Sequence, residues 1–554
     1  MSQAFARLAV VSLFFLASAA FSATYEVGPG KRYTTIGAVP WASLVAGDTV
    51  LIYWRSTPYN EKWVINRRGT STAPITIRGV PSNGQLPIID GANAITPRNL
   101  NFWAENRGVI KVGGANVPGD SIPTYIVIEN LVIRGGKPEN SYRDFNGASA
   151  KYGTNAACIY IEKGQNITIR NCTLHDSSNG LFCAYQTSNL TVERCYIYGN
   201  GRVGSAYEHN NYTEANGILF QYNRFGPLRA GAVGNNLKDR SAGCVVRYNW
   251  IEGGNRQLDL VESDHSQINT LASYRTTFVY GNVLLEPGDD GNSQIVHYGG
   301  DNGTTSMYRK GKLYFYNNTV VSKRSGHTTL FRLSTSGESA DVRNNIFHVT
   351  ASGYNLAITA SAGSIELRNN WLKSGWTNSF SSGGAVYNLG GNINGSSPGF
   401  VAESSQNYDL TSTSPCVNKG TTLASAASAH PVSMEYLKHQ GSTSRNVSGA
   451  LDIGAFEAGS ATTTLSSRSL EMEPAAPTTL DSDSDDDGLT DLFESSNRLN
   501  ANSADTDGDG IRDGEELFTG TSIGNLPAQT IWYAGRASLQ PQTQEVVAPP
   551  SGEF

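Results

Sequence analysis

The 554-residue sequence is poor in cysteine and in charge, with 6 cysteines and 16% charged residues. Six cysteines are too few for a disulfide scaffold at this length. Lys and Glu are sparse while Gly and Asn are frequent, which argues against a mostly helical chain. The sequence also lacks a Walker phosphate-binding motif, and we expect no nucleic-acid partner. These absences favour a large all-β protein.

The first 22 residues have the layout of a secretory signal peptide. Arg7 supplies a positive charge, residues 8–21 are apolar, and small residues at Ala20 and Ser22 offer a cleavage site. No other stretch is apolar enough to cross a bilayer, so we expect no transmembrane segment. The sequence therefore predicts a secreted protein, extracellular or at the cell surface, with the periplasm as an alternative.

A repeat of short alternating segments dominates the middle of the chain. Examples are ITIRNCTL (167–174), CVVRYNWI (244–251) and ADVRNNIF (340–347). Each segment has a turn position near its end, and these positions recur every 23 to 36 residues at Cys172, Cys195, Asn223, Asn249, Asn282, Asn318, Asn345 and Asn370. A period in the mid-twenties fits one coil of three short strands. We predict a single-stranded right-handed parallel β-helix over residues 23–457, with a ladder of stacked Asn side chains.

The ends of this region carry a family resemblance. The front reads VAGDTVLIYWRSTPYNEKWVI (45–65), GTSTAPITIRG (69–79) and PIIDG (87–91), and the close reads YDLTSTSPCVNKG (408–420) and DIGAFE (452–457). These stretches resemble the N-terminal cap, first coils and final coil of secreted β-helix proteins that include polysaccharide lyases. The resemblance implies the fold and an anionic polysaccharide as the partner.

The segment 231–265 concentrates charged residues into about one coil. Its Asn–x–Lys–x–Arg run, ending at Lys238 and Arg240, lies on a strand before a repeat strand. It resembles the Lys-containing strand of polysaccharide lyase family six, whose members include alginate lyases and chondroitinase B. That resemblance implies Lys238 as the base, provided that its pKa is lowered, and Arg240 can clamp a substrate carboxylate.

β-Elimination on a uronic acid also needs an acid for the leaving oxygen. The candidates are His265, His297 and Arg332; the last two follow their repeat strands by similar distances, which suggests that they line one face. Predicted substrate-binding residues are Arg256, Asp259, Glu262, Trp250 and Tyr298. Two departures stand against family six: the strand before Lys238 (229–234) has no acidic calcium ligand, and the position of the family's Arg falls near Val261 and Glu262.

Two other classes of function stay open. A hydrolase needs two carboxylates across the scissile bond, for which Asp259 with Glu262, or Asp289 with Asp290, are candidates. A non-catalytic adhesion or matrix protein would use aromatic and basic residues to hold polysaccharide.

The tail carries two matching acidic segments, 22 residues apart, within a region (481–520) of thirteen acidic residues and two arginines. Oxygen ligands at positions 1, 3, 5, 7, 9 and 12, with Gly at position 6, match the spacing of EF-hand-type calcium loops. The predicted Ca²⁺ ligands are Asp483, Asp485, Asp487, Leu489, Asp491 and Glu494 in the first copy and Asp505, Asp507, Asp509, Ile511, Asp513 and Glu516 in the second. The module resembles thrombospondin type 3 repeats.

The remaining tail segments have biased compositions. Residues 458–480 are rich in Ser, Thr, Ala and Pro and indicate a linker, and residues 521–554 are predicted to be disordered. We expect a monomer whose calcium-stiffened tail serves as a spacer or as a docking element at a cell surface or matrix.

Overall fold

The computed structural model describes residues 22–289, 291–381, 383–459, 484–485, 499–506, 508 and 512. Residues 24–395 wind into a single-stranded parallel β-helix whose coils have up to three strands. Alternating residues such as Val50 and Ile52 point into the coil and are buried, while their neighbours in the strand face outward and are half-buried. Each buried face stacks on the equivalent face of the next coil, so one continuous core runs along the axis. The predicted fold is confirmed.

Sheet 1 is made of the strands that the repeat predicted. In chain order they are Thr24–Val27, Thr49–Tyr53, Ile75–Val80, Thr124–Glu129, Ala157–Arg170 (second half), Asn179–Glu193 (second half), Asn216–Gln221, Ala242–Arg247, Thr276–Tyr280, Lys312–Tyr316, Ser339–Arg343, Ser364–Arg368 and Ala385–Asn388.

Sheet 2 follows sheet 1 after a tight turn in most coils. Its strands are Ile88–Asp90, Val132–Arg134, Thr173–His175, Tyr196–Tyr198, Arg224–Phe225, Trp250–Glu252, Val283–Glu286, Thr319–Ser322, Ile346–Val349, Trp371–Lys373 and Ile393–Gly395.

Sheet 3 closes the coil. Its strands are Trp63–Ile65, Gly108–Val112, Ala157–Arg170 (first half), Asn179–Glu193 (first half), Asn211–Thr213, Leu237–Asp239, Leu258–Leu260, Gln294–Tyr298, Thr328–Leu333 and Leu356–Thr359. The two long strands bend from sheet 3 into sheet 1 without a break.

Short elements decorate the coils. Small antiparallel or mixed pairings involve Ala94–Ile95, Ser141–Arg143, Ser149–Lys151, Asn101–Phe102, Ala115–Val117, Phe400–Ala402, Asn407–Leu410, Met434–Leu437 and Gly441–Ser444. One α-helical turn (Ser266–Asn269) and six 3₁₀ turns occur in the described residues: Ile36–Ala38, Trp41–Ser43, Glu105–Arg107, Ala272–Arg275, Glu403–Ser405 and Ser425–Ala427. Within that part of the chain, no helix has both the length and the apolar character of a membrane span.

An asparagine ladder stabilises the turn between sheets 1 and 2, as predicted. Asn318 Oδ1 accepts hydrogen bonds from the Asn282 main-chain N–H (3.0 Å) and from Asn282 Nδ2 (2.9 Å). Asn318 Nδ2 donates to Asn345 Oδ1 at 3.1 Å and to the Val279 carbonyl at 3.0 Å. The same pattern repeats from Asn223 to Asn392. Each amide therefore satisfies buried turn groups of its neighbours.

The residue before each ladder position adopts a left-handed conformation, for example Asn317 with φ 50° and Asn344 with φ 58°. At Gly281 (φ 65°) a Cβ would lie 2.4 Å from the Tyr248 ring, so only glycine fits there. Cys172 and Cys195 occupy two earlier ladder positions. All six cysteines are buried free thiols, which agrees with their packing as small residues.

The C-terminal segment (residues 400–457) does not add a final coil, contrary to the resemblance. Its strands pair only with each other, and the segment folds back over the outside of the coils. Tyr316 Oη donates to the His430 carbonyl (2.8 Å), and the Arg194 guanidinium donates to the Gln440 carbonyl (3.1 Å), 246 residues away in sequence. The segment thus covers apolar residues on sheet 1, on sheet 2 and on the turns between them.

Candidate functional site

Sheet 3 aligns five outward-facing side chains on successive strands. The register pairs Tyr212 with Lys238, Lys238 with Asp259, Asp259 with His297, and His297 with Arg332. We call these five residues the outward row. From Lys238 onward the sequence neighbours of each row member are buried inside the coil, because successive strand residues alternate between the two faces. Parallel pairing therefore brings together residues spread over 121 positions of sequence.

Lys238 lies between two carboxylates. Its Nζ is 2.6 Å from Asp259 Oδ2 and 2.6 Å from Asp301 Oδ2, and the residue is 6% exposed. Burial alone would lower the pKa of Lys238, but Asp259 and Asp301 more than offset burial and raise the pKa above its ordinary value. The base role required a lowered pKa. The structure does not support Lys238 as a base, because the two carboxylates keep it protonated.

Asp259 organises the centre of the row. Its Oδ1 accepts a 2.8 Å hydrogen bond from His297 Nδ1, and its Oδ2 accepts from Lys238 and from Asn235 Nδ2 (2.7 Å). Burial would raise the pKa of Asp259, yet Lys238 and His297 hold that pKa well below its ordinary value. An ionised Asp259 fixes a proton on His297 Nδ1, which leaves Nε2 as the basic nitrogen when the ring is neutral.

His297 Nε2 faces Ser334, with Nε2 and Oγ 2.9 Å apart. The order Ser334–His297–Asp259 is that of a hydrolase triad. However, Ser334 Oγ is also 2.8 Å from the Gly300 carbonyl oxygen and 2.9 Å from the Gly300 amide nitrogen. A hydroxyl has a single proton, so the Gly300 carbonyl and His297 Nε2 compete for it. Ser334 therefore tethers the loop after Tyr298 and is not poised as a nucleophile.

Arg332 and Arg256 carry charge that no carboxylate neutralises within the described residues. Arg332 makes no ion pair there, and its buried Nε has no hydrogen-bond partner. Arg256 donates only to a neutral acceptor, Gln294 Oε1, from Nη2 (2.8 Å) and from Nε (3.2 Å). Both side chains are half-buried. An unpaired guanidinium in this setting is suited to bind an anionic ligand.

Arg240 is already compensated. Its guanidinium donates to the Glu262 carbonyl (2.6 Å) and lies 3.5 to 3.6 Å from the carboxylates of Glu262, Asp264 and Asp301. Burial lowers the pKa of Arg240, but Tyr212 and the carboxylates raise it above its ordinary value. Arg240 therefore holds the loop around Asp301, and the structure does not favour it as a substrate clamp.

Three residues predicted to contact substrate instead contact other parts of the protein and are buried. Glu262 is fully buried and accepts hydrogen bonds from the Asp301 (2.7 Å) and Asn302 (2.8 Å) amides. Trp250 lies on sheet 2, where Tyr408 of the C-terminal segment stacks on it at 5.7 Å. Tyr298 points into the coil and is 0% exposed. The structure thus buries all three side chains, and the sequence does not show which loops cover a side chain. The Asp259–Glu262 hydrolase pair fails for the same reason.

His265 belongs to a second cluster beside the row. The His265 ring stacks on Tyr185 with ring centroids 3.7 Å apart, and its Nδ1 is 2.9 Å from Glu214 Oε1. Its side chain is 40% exposed. Glu214 directly follows the strand of Tyr212, three rungs before His297. The predicted acid candidates are therefore in separate places: His297 lies on a strand of sheet 3, and His265 lies in a loop directly before the helical turn Ser266–Asn269.

Sequence reasoning missed Asp301, Asn235 and Ser334. Asp301 reaches Lys238 from a loop 63 residues later, and Ser334 follows a strand 37 residues after His297. Neither residue belongs to a recognisable motif. Asn235 had a usable signal, since it stands three residues before Lys238 in the same charged segment.

Most predicted calcium ligands lie outside the described residues: Asp483, Asp487, Leu489, Asp491, Glu494, Asp507, Asp509, Ile511, Asp513 and Glu516. Asp485 and Asp505 lie within them. Asp505 Oδ1 accepts a hydrogen bond from the Gly508 amide at 2.7 Å, a local turn inside the second acidic segment. Among the described residues, no three His, Cys, Asp or Glu side chains converge as a metal site. The calcium prediction stays a prediction.

The second predicted hydrolase pair was Asp289 with Asp290. Asp289 Oδ1 accepts a hydrogen bond from the Ser325 amide (3.0 Å), and Asp290 lies outside the described residues.

A comparison with family models supports the fold. Residues 89–320 match the model described as a right handed beta helix region. The matched stretch contains four of the five row members. No curated protein matches the chain.

Several solved structures are similar to this chain at low identity. A pectate lyase, Pel9A, is 14% identical with a TM-score of 0.44, covering 79% of this chain and 96% of the lyase. A rhamnogalacturonan lyase is 12% identical with a TM-score of 0.36, covering 71% of this chain and 96% of its own. An alginate lyase from Paenibacillus sp. str. FPU-7 is 9% identical with a TM-score of 0.29, covering 67% and 99%.

Proposed function

We propose that the protein cleaves an anionic, uronic-acid polysaccharide by β-elimination on the outward row. The observation that carries this proposal is the position of Arg332, which lies one rung beyond His297 and has no ion pair among the described residues. A uronate carboxylate supplies the bidentate partner that this guanidinium lacks. Arg256, which bonds only Gln294, adds a second positive charge nearby.

The row contains the groups that β-elimination needs. Arg332 and Arg256 neutralise the uronate carboxylate and so make the C5 proton more acidic. His297 Nε2, with Nδ1 held by ionised Asp259, takes that proton. The C4–O bond breaks, a C4–C5 double bond forms, and protonated His297 returns the proton to the leaving oxygen. Lys238 stays protonated and keeps Asp259 in place.

Substrate has to displace one contact to reach the base. The His297 side chain is 2% exposed because Ser334 covers Nε2. When substrate takes the place of Ser334 at Nε2, the hydroxyl proton turns to the Gly300 carbonyl 2.8 Å away, so the displacement exchanges one hydrogen bond for another. Catalytic hydrogen bonds often form only in the substrate complex.

The experiment incubates the purified protein with alginate, pectate and glycosaminoglycans and follows ultraviolet absorbance of unsaturated ends together with reducing ends. We expect unsaturated ends on at least one polymer. Arg332→Ala should lower kcat/KM by about a hundredfold, since it removes charge stabilisation at the reacting carboxylate. Arg368→Ala is the matched control: Arg368 also lacks an ion pair in the described part of the chain but lies on sheet 1, and its loss should leave the rate unchanged. Full activity of Arg332→Ala, or no unsaturated ends on any polymer, overturns the proposal.

A second candidate is a protein that holds polysaccharide without cleaving it. The burial of His297 and the double carboxylate pairing of Lys238 favour it, because neither group is open to a ligand as it stands. Binding that depends on Arg332 without any new ends identifies this function. Reducing ends without absorbance identify a hydrolase.

We also propose that the chain is exported and that its acidic tail binds two Ca²⁺ ions in thrombospondin type 3-like loops. The support is the twofold in-register spacing of carboxylates and glycines in residues 483–516. On this proposal the tail is a calcium-stiffened spacer or docking element of a monomeric protein. The relation of Lys238 to polysaccharide lyase family six is likewise a proposal.

A further inference from the structure

The outward row continues toward the N-terminus as two aromatic rungs. Tyr160 pairs with Phe182 and Phe182 pairs with Tyr212, so both rings stand in line with Lys238, His297 and Arg332. Ring centroids of Tyr160 and Phe182 are 5.6 Å apart, and those of Phe182 and Tyr212 are 5.0 Å apart. The row and its extension therefore form one straight track along sheet 3.

Arg107 lies over this aromatic end. Its guanidinium carbon is 4.6 Å from the Tyr160 ring centroid and 4.5 Å from that of Phe182. Among the described residues its guanidinium makes one polar contact, a long one of 3.4 Å from Nη1 to Tyr160 Oη, and its buried Nε has no partner there. Arg107 makes no ion pair among the described residues. The nearby carboxylate of Glu162 is instead paired with Lys111 Nζ at 2.7 Å.

The two ends of the track thus each carry a guanidinium that makes no ion pair among the described residues. Arg107 and Arg332 are both half-buried guanidiniums with an unpartnered buried Nε. Between them the charges of Lys238 and Arg240 are compensated by carboxylates. Stacking on the aromatic rings also fixes the Arg107 guanidinium before a ligand arrives, which lowers the entropy cost of binding.

We propose that Arg107 forms a distal subsite for a second uronate carboxylate of the same polysaccharide chain. Five or six rung steps of roughly 4.8 Å separate Arg107 from Arg332, so the two carboxylates lie about 24 to 29 Å apart. An extended polyuronate advances by about one rung spacing per monosaccharide, so five or six steps require chains of roughly six or seven sugars. This inference rests on the proposed function only for the orientation of the polymer.

The two contacts act on one ligand and therefore reinforce each other. Once a long chain is bound at Arg332, its distal carboxylate meets Arg107 at a high effective concentration. A short chain cannot reach from Arg332 to Arg107, so it gains no affinity from the second contact. The protein should consequently select for chain length, and the advantage of long chains should shrink with added salt because both contacts are ionic.

The test measures Kd by isothermal titration calorimetry on the full chain, with defined oligogalacturonates and oligoalginates of three and of eight sugars. We expect the octamer to bind the wild-type protein roughly five- to tenfold more tightly than the trimer. Arg107→Ala should abolish that difference and leave trimer binding unchanged, whereas Arg332→Ala should weaken both oligomers. Arg368→Ala, the sheet 1 control, should change neither Kd. Circular dichroism of each variant verifies folding.

The outcomes separate this subsite from the catalytic proposal. Length selection that depends on Arg107, without unsaturated products, supports the subsite and refutes β-elimination. Unsaturated products with no Arg107-dependent difference between trimer and octamer refute the subsite alone. Absence of oligomer binding to the wild-type protein, or equal weakening of both oligomers by Arg107→Ala, also overturns the subsite.

Discussion

Lys238 Nζ and Asp259 Oδ2, on adjacent rungs of sheet 3, lie 2.6 Å apart with side chains that are 7% and 1% exposed. The two residues are separated by 21 positions in sequence and meet because parallel strands stack in register. Removal of one partner would leave the other charge buried and less compensated. The pair is therefore essential to the arrangement of the row.

Lys238→Met should lower the free energy of unfolding by about 3 kcal/mol, because Asp259 loses its nearest cation. Chemical denaturation of the full chain followed by circular dichroism measures the loss. Lys312→Met is the control: the Lys312–Glu366 pair is about one-third exposed on each side, so its removal should cost less than about 1 kcal/mol. Equal effects of the two variants would contradict the structural account of Lys238.

Two buried histidines should make the fold sensitive to acid. Burial lowers the pKa of His209 and of His430 to about 3. An unfolded histidine titrates near 6.5, so the unfolded chain takes up protons first as the pH falls. Each contribution to stability is complete above about pH 6.5 and declines by about 1.4 kcal/mol per pH unit toward pH 3.

His430→Gln should therefore flatten the dependence of Tm on pH between 6.5 and 4. Thermal melts at several pH values within this window provide the measurement. His327→Gln, at an exposed histidine, should leave the slope as it is in the wild-type protein. A slope that does not change on replacing His430 would show that its protonation is not linked to unfolding.

The ladder predicts an unequal cost for asparagine substitutions. Asn318→Ala removes the acceptor of two buried hydrogen bonds from Asn282 and the donor to Val279 and Asn345. It should lower the free energy of unfolding by about 2 to 4 kcal/mol, since buried amide groups lose their partners. Asn388→Ala, at an exposed position, should have little effect in the same denaturation assay.

His297 and His265 should differ in catalysis. His297→Gln removes the proposed proton acceptor and should reduce the rate of formation of unsaturated ends by at least about a hundredfold. His265→Gln acts three rungs away and should retain most of the wild-type kcat. The reverse order of effects would place the reaction at the Glu214–His265 pair.

Each of the two acidic segments should bind one Ca²⁺ ion. Isothermal titration of the full chain should find two Ca²⁺ sites, and Asp487→Ala or Asp509→Ala should each remove one, because each supplies the ligand at position 5 of its loop. Asp486→Ala is the control, since position 4 does not contribute a ligand. A wild-type protein that binds no Ca²⁺ would refute the prediction.

The repeat allowed the sequence to predict the scaffold better than the site. Asn318 and its equivalents recur at one turn position, so their stacking followed from the period. The register of His297 with Arg332 was also accessible from their similar spacing after repeat strands. Asp301 was not predictable, because a loop of irregular length brings it to Lys238. Its carboxylate helps to reverse the expected direction of the Lys238 pKa shift.

Covering elements were equally hidden in the sequence. Trp250 alternates correctly for an outward position, and nothing local to it indicates that Tyr408 will stack on it. The aromatic residue was therefore interpreted as a sugar contact. Such errors arise wherever residues distant in sequence cover a regular repeat.

The folded-back C-terminal segment affects the order in which the protein folds during synthesis. Synthesis proceeds from the N-terminus, so early coils can stack before residues 400–457 exist. Until those residues arrive, Tyr248, Trp250 and Tyr316 remain uncovered on the outside of the rod. A chain truncated after residue 395 would keep that aromatic stripe permanently bare, and such rods should self-associate.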